Sequence, residues 1–336
     1  MVNVLVSINC TTYNHEKYIA DAIESFLMQV TDFNYEILIG EDCSTDNTKQ
    51  IVEEYARLYP EKIRLITSSH NVGARLNSQR LINQSRGKYI AECEGDDYWI
   101  DPYKLQEQVD YMESHQECSI CFHAAKIIQA PKKPTGMKIR PYTINKICPI
   151  EDFISGGGFC PTGSLLYRKK LMEDPPDFYM RAHVGDYPMQ LILASKGYAY
   201  YMDKYMAVYR IGVKGSWSSR KSKGENYKGK MININGGDIA LLKDFNNFTR
   251  FKYEKAIENT ILKKEFEIQL LKGNINAIKN SKYKMYIDGL SMKQKLKIYA
   301  RCFFPNIYVS LARLKPYIYR VLLFLNMKER QKNGTK

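Results

Sequence analysis

The stretch VNVLVSINCTTYNHEKYIADAIESFLMQVTDFNYEILIGEDCSTDNT, residues 2–48, decides the fold. It opens on VNVLVSIN, a short apolar run rich in β-branched residues, the composition of a central strand buried on both faces. Ile19, Ala22, Ile23, Phe26 and Leu27 then recur at helical spacing, and YEILIG at 35–40 reads as a second strand. The alternation continues outward. A helix runs from about Asp46 to Tyr59, with Ile51, Val52, Tyr55 and Leu58 on one face, and the strand KIRLIT (62–67) follows. A helix over about Ala74–Ser85, closed by Gly87, leads into the strand KYIAEC (88–93). Strand–helix–strand units of this length predict an α/β fold, with parallel pairing, right-handed crossovers and helices on both faces.

From residue 101 the pattern changes. Asp101-Pro102 starts a helix to about His115. CSICFHAA (118–125) and GSLLYR (163–168) read as strands on either side of a basic, proline-containing stretch, Lys126–Ile147. The loop SGGGFCPTGS (155–164), a helix near Tyr187–Lys196 and the aromatic strand YAYYMDKYMAVYR (198–210) complete one mixed, mostly parallel sheet over residues 1–215. Beyond Trp217 there is no strand signal, and 216–336 is predicted to be a mainly helical, basic extension.

A hydrophobic content of 44% and a charged content of 26% in 336 residues exclude disordered and collagen-like classes. No run of about 18 uncharged apolar residues is present, and the start MVNVLVSINC has no basic leader region, so the chain is expected to be cytoplasmic. Charge is unevenly placed. Residues 1–220 hold 25 Lys and Arg against 27 Asp and Glu, whereas 221–336 hold 25 against 9. The tail is suited to a polyanionic surface or to a solvated lysine-rich helical face. Aromatic and aliphatic residues alternate with Arg and Lys in 298–308 and 312–325, which fits an anionic membrane interface and a peripheral place at the inner face of the membrane, or packing onto the body. Eight cysteines suggest reduced thiols, and Cys118-Ser-Ile-Cys121 reads as buried strand in the absence of a second pair at zinc spacing.

In an open α/β sheet, ligands bind beyond the carboxyl ends of the strands. Those ends carry Thr11-Thr12-Tyr13-Asn14-His15-Glu16, then Glu41-Asp42-Cys43-Ser44-Thr45-Asp46-Asn47-Thr48, then Glu94-Gly95-Asp96-Asp97-Tyr98-Trp99. Carboxylates brought together at neighbouring strand ends repel unless a cation or hydrogen-bond donors offset the charge. Asp42 stands at its strand end before any helix cap is needed and can accept from a nucleobase N–H, while Ser44–Asp46 can equally be an N-cap cluster. Hard oxygen ligands such as Asp96 and Asp97 suit Mg²⁺ or Mn²⁺ beside a phosphate-bearing substrate.

Tyr13-Asn14, Glu41-Asp42 with Ser44, Thr45, Asp46 and Thr48, Asn71 and Gly73, Arg86-Gly87-Lys88-Tyr89-Ile90, and Gly95-Asp96-Asp97-Tyr98-Trp99 with Pro102, Lys104-Leu105 and Gln108 occur in an order that resembles family 2 glycosyltransferases over about residues 3–215. The resemblance implies a GT-A fold and inverting, metal-dependent transfer from a nucleotide-sugar donor, UDP-linked in this reading. It also implies a nucleotide-sugar-binding half in 1–100 and an acceptor-binding half in 101–215. By position, Thr11 and Tyr13 border the base and Asp42 binds it. Asp96 faces the ribose or metal, and Asp97 ligates the metal. Glu94 stands where many members carry Asp.

The family's general base is matched by Asp186 in Val184-Gly185-Asp186-Tyr187, where an ionised carboxylate at a helix start is favoured by the helix dipole. Arg210 and the Gly212–Ser219 segment with Trp217 are expected to close over the diphosphate, and Thr162 of Pro161-Thr162-Gly163-Ser164 to touch the sugar on the acceptor side. None of the five histidines has metal-ligand spacing; His123 reads as core and His183 as an acceptor-side contact. The implied acceptor is a saccharide or lipid-linked saccharide hydroxyl in bacterial surface polysaccharide assembly. Two other classes stay open on residue types alone: a nucleotidyltransferase, although the usual glycine-rich basic loop after the first strand is replaced by TTYNHE, and a nucleic-acid-binding protein, which leaves the acidic strand ends unexplained.

Overall fold

A computed structural model describes residues 3–216, 219, 227–274, 276–277 and 280–304. Two compact units emerge, one of residues through Lys126 with Lys138–Arg210, the other of Ile127–Met137 with the described residues from Ile211 onward.

The first half alternates as its periodicity predicts: β1 (Val4–Thr12), α1 (Ile19–Leu27), β2 (Asn34–Glu41), α2 (Thr48–Leu58), β3 (Ile63–Thr67), α3 (Ala74–Gln84) and β4 (Tyr89–Glu92). Then follow β5 (Tyr98–Trp99), α4 (Lys104–Ser114), β6 (Cys118–Gln129), β7 (Lys133–Ile139), β8 (Lys146–Cys148), α5 (Ile150–Ile154), β9 (Leu166–Arg168), α6 (Asp177–Arg181), α7 (Asp186–Ser195) and β10 (Tyr198–Ile211). The mixed sheet has ten strands in the order β3-β2-β1-β4-β9-β6-β10-β5, with β7 beside β6 and β8 beside β10. Pairing is parallel through β3, β2, β1 and β4, and turns antiparallel where β9 meets β4.

Burial explains the strands. On β1, Val6, Ile8 and Cys10 enter the main core with Ile19, Ala22, Ile23 and Phe26 of α1. Each such aliphatic side chain contributes about 1.5–3 kcal/mol on leaving water. The opposite face is buried too, but polar: Ser7 donates to Glu36 at 2.7 Å, and Asn9 accepts from Ser85 at 3.0 Å. Buried Glu36 is offset by Arg86 (2.6 Å) and Arg64 (3.0 Å), and these bonds hold its carboxyl below the ordinary range despite desolvation. Gly87 follows because a Cβ there would stand 2.5 Å from the Ser7 nitrogen. Arg86-Gly87 is therefore a sheet-packing device.

The Lys126–Ile147 stretch is less irregular than its lysines and prolines suggest. It extends β6 and forms β7 and β8, and Pro134 is tolerated in β7 because that strand pairs only with β6 among the described residues. Cys10, Cys43, Cys93, Cys118, Cys121, Cys148 and Cys160 are free thiols, and Cys118 and Cys121 are buried in β6.

The second unit is helical among its described residues beyond Ile211: α8 (Tyr227–Phe248), α9 (Glu254–Leu271), α10 (Ser281–Asp288) and α11 (Met292–Phe303). Its core gathers Met231, Phe266, Leu270, Leu271, Ala277, Tyr283 and Ile287, with Ile298, Tyr299 and Phe303 of α11 packed against them. The apolar positions around 298–303 thus pack within their own unit. Residues 312–325, the other half of the expected membrane-facing pattern, lie outside the described residues, as does Trp217. No helix among the described residues is long and apolar enough to cross a membrane.

Candidate active site

The register fixes the site. Thr12 pairs with Glu41 and Asn9 with Glu92, so β1, β2 and β4 release their polar tips at one edge of the sheet. The first two tips are laced together. Asn14 N–H donates to Ser44 Oγ (3.0 Å), His15 N–H to Thr48 Oγ1 (2.7 Å) and Glu16 N–H to Asp46 Oδ2 (3.2 Å), while Thr45 N–H donates to Asn14 Oδ1 (2.8 Å). Asp46 also receives the Thr48 N–H at 3.0 Å and so meets both the neighbouring loop and the first turn of α2, whose N-cap is Asn47. Asn14 and Cys43 adopt left-handed backbone (φ 57° and 58°) as the chain leaves the sheet.

Asp42 is buried, and its carboxylate accepts from the N–H groups of Val72 and Gly73, both at 2.8 Å, and from Ser68 Oγ at 3.2 Å. A carboxylate offers about four acceptor positions, so one remains for an incoming donor. Tyr13 is 41% exposed nearby in sequence, and half-buried Thr11 accepts the Gly95 N–H at 2.9 Å. That bond ties the first tip to the third, and Gly95 is needed there because a Cβ would meet Thr12 Oγ1 at 2.7 Å.

At the third tip, one carboxylate oxygen from each of Glu94, Asp96 and Asp97 lies within 4.8 Å of the others. Burial pushes Asp97 well above the usual carboxylate range, with Asp96 and Glu94 adding to it and Arg210 opposing it. Burial also pushes Glu94 up to about 8, assisted by the charges of Asp96, Asp186 and Glu92. Like charges at about 4 Å cost several kcal/mol at protein-surface dielectric, so the cluster holds protons or a cation. Three hard carboxylate oxygens gathered within 4.8 Å of one another are the donor type that Mg²⁺ or Mn²⁺ takes. Residue types alone left Glu94 in doubt because it is longer than the Asp of the pattern; the structure brings it into the cluster. His15 joins as well, with Nε2 3.9 Å from Asp96 and its pKa lowered chiefly by burial.

Arg210, expected to help close over the diphosphate, packs against the acidic tip. Its guanidinium is buried, bonded to the Asp96 carbonyl (2.6 Å) and to Asp21, between the rings of Tyr18 and Tyr98. Its own N–H donates to Asp97 Oδ1 at 2.7 Å. Asp21 and the two tyrosines draw the cation inward, where it buttresses the acidic loop from behind.

Thr162 opens a 3-10 turn held by three buried donors. Trp99 Nε1 reaches Gly163 O (2.8 Å), Gln108 Nε2 reaches Ser164 O (2.9 Å) and Gln190 Nε2 reaches Cys160 O (3.0 Å). Lys104, fully buried over the Trp99 ring and bonded to Gln108 at 2.8 Å, orients that amide. The Trp99, Lys104 and Gln108 signature is thereby explained by packing. Asp186 begins α7, its carboxylate accepting from the Tyr187 N–H at 2.8 Å, and its charge reaches Glu94. His123 is wholly buried, and His183 is exposed.

A sheet that passes from parallel to antiparallel pairing, with an acidic cluster beyond β4, is the arrangement expected of a GT-A glycosyltransferase. The sequence model of Glycosyl transferase family 2 matches residues 7–174, and the chain belongs to that family. The uncharacterized protein Rv1520 of Mycobacterium tuberculosis is 35% identical over 214 residues, 64% of this chain and 61% of that protein; the match thus spans about three fifths of the relative. TuaG of Bacillus subtilis, provisionally named a teichuronic acid biosynthesis glycosyltransferase, is 28% identical over 221 residues, 65% of this chain and 83% of its own. Among solved structures, Staphylococcus aureus TarS 1–349 in complex with UDP-GlcNAc aligns with a TM-score of 0.52 at 17% identity, covering 94% and 92% of the two chains. The mannosyltransferase PcManGT of Pyrobaculum calidifontis, in complex with GDP-Man and Mn²⁺, aligns at 0.55 and 14% identity, covering 95% and 86%. At these identities the two structures share the fold.

Proposed function

We propose that this glycosyltransferase moves a sugar from a nucleoside-diphosphate donor, UDP-linked, to a saccharide or lipid-linked saccharide hydroxyl with inversion, in surface polysaccharide assembly. The observation that carries the reading is the Glu94–Asp96–Asp97 cluster, whose carboxylate oxygens share one 4.8 Å neighbourhood at the sheet edge. The name of TuaG supports the polysaccharide role, UDP-GlcNAc in TarS the donor, and Mn²⁺ in PcManGT the cation.

In this reading residues 1–100 hold the donor and 101–215 the acceptor, with 216–336 as an appended region. Asp42 uses its remaining acceptor position for a base N–H, and Thr11 and Tyr13 border the ring. Asp97 presents the oxygen not taken by Arg210, and Asp96 and Glu94 complete an oxygen site for Mg²⁺ or Mn²⁺. A cation held there neutralises charge on the departing diphosphate. Asp186 receives the proton of the acceptor hydroxyl as the new C–O bond forms on the face opposite the leaving group. Thr162 borders the sugar from its braced turn. On α11, Met292 (71% exposed) and Leu296 (63%) stand one turn apart beside Lys293 and Lys295, a face suited to an anionic lipid surface.

The test is a thermal-shift panel of UDP-glucose, UDP-GlcNAc and GDP-mannose with MnCl2, MgCl2 or EDTA. Protection by a nucleotide sugar only in the presence of the cation is expected. Equal protection in EDTA, or protection by single-stranded DNA, would overturn the reading.

A further inference from the structure

Asp186 is delivered by a segment with little structure of its own. The helix α6 spans five residues, Asp177–Arg181, and 182–185 are irregular up to the start of α7. Three carbonyls of this segment converge on one side chain from another part of the unit. Arg75 donates through Nη1 to Tyr179 O and through Nη2 to Ala182 O (2.7 Å) and Val184 O (2.5 Å), with its guanidinium carbon 5.2 Å from the Tyr179 ring centroid.

The grip comes from a firm base. Arg75 lies in the first turn of α3, two residues after Gly73, and the N–H groups of Val72 and Gly73 are held by Asp42. The same helical face continues the contact: Gln79, one turn on, reaches Met172 O through Nε2 at 3.5 Å. A planar guanidinium fork can serve several carbonyls at once from one fixed orientation, which a flexible ammonium cannot reproduce. Val184 is two residues from Asp186, so the position of that carboxylate is set from α3.

We propose that Arg75 is a positioning residue for Asp186, acting through the backbone of residues 179–184 and not through the donor. This rests on the reading of Asp186 as the base. Misplacing a reacting group by about 1 Å costs on the order of 100-fold in rate while leaving donor binding intact.

The experiment compares Arg75→Ala, Arg75→Lys and Arg75→Gln with Asp186→Asn in the full chain with MnCl2. It measures UDP and GDP affinity by calorimetry, and nucleoside diphosphate release from UDP-glucose, UDP-GlcNAc and GDP-mannose with water standing in for the acceptor hydroxyl, giving up its proton and taking the sugar. For all three Arg75 variants, affinity within about twofold of wild type and release slowed about 10- to 100-fold are expected, with no rescue by lysine. Three results would overturn the proposal: affinity falling in step with rate, which makes Arg75 a donor contact; full rescue by lysine, which makes its charge the agent; or normal release from Arg75→Ala beside an inactive Asp186→Asn. Normal release from Asp186→Asn would instead overturn the base assignment, and this proposal with it. If Arg75→Ala fails to fold, the Lys and Gln variants carry the same comparison.

Discussion

Replacing Glu94 with Gln gives a sharp test of the acidic cluster, because its effect on stability changes sign with conditions. In the folded chain the Glu94 carboxyl is pushed up to about 8, against an ordinary value of 4.5. The folded state therefore binds this proton more tightly than the unfolded state. Stability from that difference is fully present below about pH 4.5 and is lost as pH rises through about 8. The full difference bounds the loss at about 5 kcal/mol; charge sharing with Asp96 and Asp97 and partial solvent access reduce it to about 2. Glutamine has the same shape and no charge to desolvate. In EDTA, Glu94→Gln should match wild type near pH 5 and exceed it by about 2 kcal/mol at pH 9, read as urea midpoints at equal slope. With MnCl2 and a protecting nucleotide sugar the order should reverse, since the variant offers the cation one charge fewer. A variant no more stable than wild type at pH 9 in EDTA would refute the electrostatic account of the cluster.

Three further outcomes follow from the geometry. Asp97→Ala should abolish cation-dependent thermal protection by nucleotide sugars, and retained protection would place the cation elsewhere. Gly87→Ala should lose about 2–4 kcal/mol in urea denaturation with donor affinity unchanged below the transition, because its Cβ would lie 2.5 Å from the Ser7 nitrogen and 2.8 Å from the Tyr89 carbonyl. Met292→Asp with Leu296→Asp should reduce sedimentation with phosphatidylserine vesicles several-fold without changing nucleotide diphosphate release, and undiminished sedimentation would remove α11 from the lipid-facing surface.

The strand–helix order of the first hundred residues was legible because each element carries its own period: Val6, Ile8 and Cys10 alternate, and Ile19, Ala22, Ile23 and Phe26 recur every three or four residues. The polar tips were legible for the same reason, since a strand end fixes where the next residues emerge. Side chains whose direction depends on distant partners were not. Arg210 reads as a residue closing over the diphosphate, and nothing in its local pattern shows that Asp21, Tyr18 and Tyr98 surround it. Arg75 reads as an ordinary residue of an amphipathic helix, and only the fold brings residues 179–184 to it. The strands β7 and β8 escaped because lysines and Pro134 mask their pattern; they are held by neighbours and not by propensity.

The turn at Thr162–Ser164 is braced by Trp99, Gln108 and Gln190, whereas Gly156 and Gly158, a few residues upstream, adopt left-handed backbone with open space around them. Tolerance to change is thus divided within one short run of chain. Exchanging residues 155–159 between homologues should cost the fold little, because the braced turn keeps its shape whatever the open loop before it carries.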